Sequence, residues 1–238
     1  MQPEYTISLA LIDFLPIIFT AFGMYYVARM VTHLGHTQGQ MAMLGAVLII
    51  LGGTLKAVWK TINAATQGAV DINWMEESLF VFMAPGFIYL AFAVWSGVRV
   101  IRRKKVSTVW LMPTVIVLVM AAGSAYLGIT RPEEPAWKRI LLGMMVLANL
   151  LSTILLVVFA FREKMPAIGV LFILNFTGVL ILNGLARIPV QTISLQWIEE
   201  GINAVTWLMF AFAAFKLYEF ARVNFGVDAA AVAQPVIA

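Results

Sequence analysis

Cysteine is absent from all 238 residues, and histidine occurs only twice. The first absence excludes disulfides, thiolate metal centres and cysteine nucleophiles. His33 and His36 fall in a predicted loop with no carboxylate beside them, which is a poor metal site, so no metal is predicted. No predicted membrane span contains a histidine, which excludes bis-histidine haem and histidine–metal hydrolysis. A Gly-x-Ser-x-Gly elbow is missing too, and Ser152 and Thr153 are expected to bond to their own helix backbone. Charge is the last scarcity: acids and bases make up 12% of the chain, about half their share in soluble domains.

Apolar residues fill the space, at 62% of positions. Runs long enough to cross a bilayer, about 20 residues each, lie near 7–31, 41–62, 75–98, 107–128, 138–161, 166–186 and 196–221. The expected fold is all-α: one seven-helix transmembrane domain spanning 1–238, in a multi-pass protein of the cell (inner) membrane. A cleaved leader would begin with a basic region, whereas Met1–Ser8 contains Glu4 and no Lys or Arg, so the first helix is expected to stay. The Ala-rich stretch 227–238 is expected to be a disordered tail.

Orientation follows from the bases, which concentrate in cytoplasmic loops. The loop after the third span carries Arg99, Arg102, Arg103, Lys104 and Lys105, and Arg29, Arg162, Lys164, Lys216 and Arg222 fall on the same side. That side holds ten bases and three acids; the other holds six bases and nine acids. The amino terminus is therefore expected outside and the carboxyl terminus inside. Anionic lipid accounts for the basic face without any nucleic acid.

Trp74-Met75-Glu76-Glu77 opens the third span, and Trp197-Ile198-Glu199-Glu200 opens the seventh, 123 positions later. Arg99 and Arg222 repeat at the same offset, while Met41 and Met165, and Gly45 and Gly169, repeat at 124. The pattern predicts two parallel three-helix repeats, about 7–101 and 138–222, joined by a linker helix at about 107–128. This 3+1+3 plan resembles that of the sugar-transporting SWEET family and, more loosely, of the heptahelical opsins. No Pro-Gln pair of the PQ-loop kind occurs, and Lys216 lies too near the inner end for an opsin-type retinal lysine, three residues before Glu219. No cofactor is predicted, with carotenoid and retinoid left open as classes.

Charge inside a span costs roughly 2.5–3.5 kcal/mol near its centre and tends to mark function. Lys56 and Lys60 sit one turn apart on the second span, below the outer surface, and would repel unless a carboxylate lies near. Asp13, Asn183, Arg187, Asn203, Glu76, Glu77, Glu199 and Glu200 are placed in the same layer, with Asn175 at mid-depth and Thr206 below the paired acids. Adjacent helical residues point about 100° apart, so one acid of each pair can face inward; Glu77 and Glu200 are the expected inward members. The alternative is a well-made helix start, since acids suit a first turn and tryptophan suits the interface.

The reading that follows is a polar pocket in the outer half for a small charged or zwitterionic ligand, in a transporter, sensor or accessory subunit. Small residues in Gly52-Gly53 and Ala121–Ala125 would let helices meet closely, within the bundle, in a homo-oligomer or against a partner subunit. A second reading comes from Glu76-Glu77-Ser78-Leu79-Phe80 followed by Pro85. This segment resembles the membrane lycopene cyclase domain, a three-helix unit often present twice. The resemblance implies that Glu76, Glu77, Glu199 and Glu200 match the acid positions of that family and that one of them protonates a polyene. Trp74 and Trp197 replace the proline expected before the acids, and the second copy lacks Leu-Phe.

Overall fold

The computed structural model describes residues 6–104, 109–131, 133–190 and 192–225. Among them every regular element is an α-helix: α1 (Ile7–Ile12), α2 (Phe14–Leu34), α3 (His36–Ala65), α4 (Asn73–Ile101), α5 (Leu111–Thr130), α6 (Ala136–Arg162), α7 (Pro166–Leu185) and α8 (Ile193–Phe225). With α1 and α2 taken as one broken helix, seven spans of 20 to 33 residues are long and apolar enough to cross a bilayer. The chain is thus a multi-pass helical membrane protein, since in lipid the backbone must satisfy its own hydrogen bonds. Glu4, Lys105, Asp228 and the tail 227–238 lie outside the described residues.

The helices overrun the apolar stretches that announce them. Gly35 alone separates α2 from α3, so His33 closes one helix and His36 opens the next, where the sequence suggested a loop. The His33 ring lies 5.7 Å from the Tyr218 ring of α8, tilted 36° to it. Hydropathy ends where polar residues begin, but backbone hydrogen bonding carries a helix on through them.

Six spans close a ring in which neighbours run α2, α3, α4, α6, α7, α8 and back to α2; α5 lies outside, against α6 and α4. Lipid tails are as apolar as leucine, so close packing rather than hydrophobicity must hold such a ring. Between α3 and α4 that closeness comes from glycine. A Cβ on Gly45 would sit 2.6 Å from the Gly86 carbonyl oxygen, and one on Gly86 would sit 2.9 Å from the Gly45 carbonyl oxygen. Between α7 and α8, Gly178 lies under the Thr206 side chain, and Asn175 Nδ2 donates to the Thr206 carbonyl at 3.1 Å. Asn175 and Thr206 therefore tie two helices together.

The fully buried side chains Met24, Val27, Met41, Leu90, Val94, Phe159, Phe172 and Leu217 fill the ring toward one end. The outward faces stay apolar, with α5 exposing Leu118, Val119, Tyr126 and Ile129. Of the small residues at Ala121–Ala125 only Ser124 is buried, and Gly123 reaches no closer than 3.9 Å to Ile140 of α6. Ser152 and Thr153 bond back to the Ala148 and Asn149 carbonyls at 2.8 and 3.0 Å, and Lys216 pairs with Glu219 at 2.8 Å, each as the sequence implies.

Candidate functional site

The other end of the ring is hollow. A cavity of about 390 Å³ lies at its centre, and all six ring spans contribute to the wall. The volume falls within the range of small-molecule sites, about 300–1,000 Å³.

Its upper wall is charged, and a proline helps to place one of the charges. Pro16 has no N–H to give the Ile12 carbonyl, so the first span breaks there into α1 and α2. Asp13 occupies the break and meets Lys60, reaching it from α3. Glu200, two turns into α8, lies 3.5 Å from the same ammonium through Oε1. One lysine thus joins three spans. The Lys60, Asp13 and Glu200 side chains are 18%, 10% and 11% exposed, so the cluster is largely removed from water.

Around it, among the described residues, two carboxylate oxygens make no hydrogen bond and one ammonium makes no ion pair. Glu200 Oε2 and Glu199 Oε1 are buried without a hydrogen bond to any described residue. Lys56 lines the cavity one turn from Lys60, with Asp13, Glu76 and Glu200 acting on it through space, but it forms no ion pair among the described residues. Below this tier Ile17, Ile49, Ile50, Leu79, Met83, Met145, Val179 and Trp207 make an apolar floor, softened by Thr20, whose hydroxyl donates to the Pro16 carbonyl at 2.7 Å. From Lys60 to Ile49 the wall follows eleven steps of α3, about 16 Å at roughly 1.5 Å per residue.

Of the predicted site residues, Asp13, Lys56, Lys60, Asn183, Glu199, Glu200 and Asn203 line the cavity. Asn183 spends its Nδ2 on the Val179 carbonyl of its own helix, at 2.9 Å. Glu76, Glu77 and Arg187 are absent from the wall. The expected inward turn of Glu77 is corrected: its carboxylate pairs with Lys138 of α6 at 2.8 Å, because α6 begins beside α4 and offers a cation on that side. Glu76 is exposed, within electrostatic range of Lys56, and Arg187 is exposed in the turn after α7.

The floor was missed by sequence reading. Helical spacing held a signal for part of it: Trp207 follows Glu200 by seven, Gly53 precedes Lys56 by three, and Pro16 and Thr20 continue from Asp13 by three and seven. Among the described residues no group of three or more histidines and carboxylates is arranged to hold a metal.

Ring and cavity together define a multi-pass helical membrane protein with a charged, half-apolar central pocket at one end. No protein-family model matches the chain, and no curated protein or solved structure matches it.

Proposed function

We propose that the cavity binds a small amphipathic zwitterion of the amino-acid kind. Its carboxylate meets Lys56, its ammonium meets the open oxygens of Glu199 and Glu200, and its apolar body lies on the floor around Ile49, Met83 and Trp207. The observation that carries the reading is the contrast between two lysines one turn apart. Lys60 holds two carboxylates, while Lys56, lining the same pocket, forms no ion pair among the described residues. A sequestered ammonium without a partner is costly, and a ligand anion offsets that cost.

The charge bias supports an outward position for this end of the ring. Spatial order supports the repeat: the first span packs on the seventh and the third on the fifth, the exchange that a two-fold axis along the membrane normal requires. Below the floor, Met24, Met41, Leu90 and Phe172 close the ring with apolar side chains. That plug favours a sensor or accessory subunit, which needs only the pocket, over a carrier, which needs a polar path inward.

The test uses purified protein and three probes of matched chain: 2-aminooctanoate, octanoate and octylamine. The zwitterion is expected to bind saturably and to change tryptophan emission, with the change reduced in Trp207→Phe and binding lost in Lys56→Met. Equal binding by Lys56→Met, or no saturable binding by any probe, refutes the proposal.

A second reading rests on the lycopene cyclase likeness and on one observation, a buried Glu200 oxygen with no hydrogen bond among the described residues, above an apolar floor. There Glu200 is the general acid for a polyene end. Ring-closed product in a lycopene-making host, abolished by Glu200→Gln, distinguishes it.

A further inference from the structure

A second cavity, of about 340 Å³, opens at the opposite end of the bundle where α4 and α6 finish side by side. Among the described residues its charged wall is wholly basic: Arg99, Arg102, Lys104 and Arg162, with no carboxylate. None of the four forms an ion pair with a described residue. Four like charges around one hollow repel, and the partial negative charge of two helix ends answers only part of that.

Arg99 is held in place rather than trailing into solvent. Its guanidinium carbon lies 4.8 Å over the Trp95 ring, and its Nε is buried without a hydrogen-bond partner among the described residues. A donor fixed and left open in this way calls for an acceptor. The rest of the wall is apolar, made by Trp95, Val98, Leu155, Val158 and Phe159, and Trp95 and Val158 are exposed on the outer surface of the bundle.

We propose that this cavity binds a phosphate group, held by the forks of Arg99, Arg102 and Arg162 and by the point charge of Lys104. Arginine suits the role because its planar donors meet phosphate oxygens two at a time. The apolar flank between α4 and α6 continues the site toward the acyl region, as in basic pockets between membrane helices that take lipid headgroups. The phosphate comes either from an anionic phospholipid or from a soluble phosphate, and the two sources separate by experiment. The site is independent of the outer cavity, sharing no residue with it.

The test compares the full-length protein with Arg102→Gln/Arg162→Gln. Both residues are exposed, so folding is not at stake. Arg29→Gln/Arg103→Gln removes the same charge from exposed bases outside the cavity. In one arm, native mass spectrometry of delipidated protein titrates cardiolipin and phosphatidylglycerol against phosphatidylcholine; in the other, calorimetry titrates inorganic phosphate. One saturable site is expected in one arm, weakened roughly thirtyfold in the cavity variant, two charges at the usual worth of a base at an anionic surface. The control variant is expected to stay within about threefold of the wild type. Saturation with anionic lipid alone assigns a lipid site, and saturation with inorganic phosphate assigns a soluble ligand. Saturation in neither arm, or equal weakening by both variants, overturns the proposal.

Discussion

Lys60→Met is the perturbation that asks most of the structure. It removes the ammonium that meets both Asp13 and Glu200, whose side chains are about nine-tenths covered, and leaves two carboxylates facing each other. Breaking a buried pair by deleting one member costs about 3–5 kcal/mol, because the surviving charge has lost both water and partner. Replacing the whole cluster by neutral residues of similar size is commonly close to neutral. Asp13→Asn/Lys60→Met/Glu200→Gln is therefore expected within about 1–2 kcal/mol of the wild type. Lys138→Met is the control: it breaks the Glu77 pair, whose side chains are 40% and 35% exposed, and costs under about 1 kcal/mol. Equilibrium unfolding in mixed micelles reads all three. If Lys60→Met is no worse than Lys138→Met, or the triple variant is as damaged as the single, the cluster is not the buried electrostatic unit described.

Two further outcomes follow from the same geometry. Lys56→Met is expected to be at least as stable as the wild type, because it removes an ammonium without an ion-pair partner among the described residues; a loss near that of Lys60→Met in the same micelles would make Lys56 a structural partner and undercut the ligand reading. Gly45→Ala, whose Cβ would meet the Gly86 carbonyl at 2.6 Å, is expected to cost about 1–3 kcal/mol by forcing α3 from α4, whereas Gly143→Ala, with nothing within 4 Å, is expected to be neutral in thermal unfolding.

The paired acids show where sequence reading ends. Both Trp-x-Glu-Glu segments lie in the first two turns of a long helix, and the sequence alone puts each near a helix start. Yet Glu200 enters the cavity and meets Lys60, while Glu77 turns to Lys138. Gly45 and Gly169, 124 positions apart, likewise meet different neighbours, the Gly86 backbone and the Phe161 ring.

Hydropathy by itself determined the number of spans and their approximate ends, because the transfer of each run from water to lipid depends on composition and length alone. The scarcity of charge also singled out Asp13, Lys56, Lys60, Glu199 and Glu200, since an ionisable group inside an apolar run is costly wherever it points. Only the tertiary structure decided which of these share a cavity. The spans are apolar around most of their circumference, so a 3.6-residue period carries little information about which face turns inward. That choice is made by packing: the break at Pro16 that sets down Asp13, the glycines that draw α3 against α4, and the ring that brings Glu200 within reach of a lysine 140 residues away.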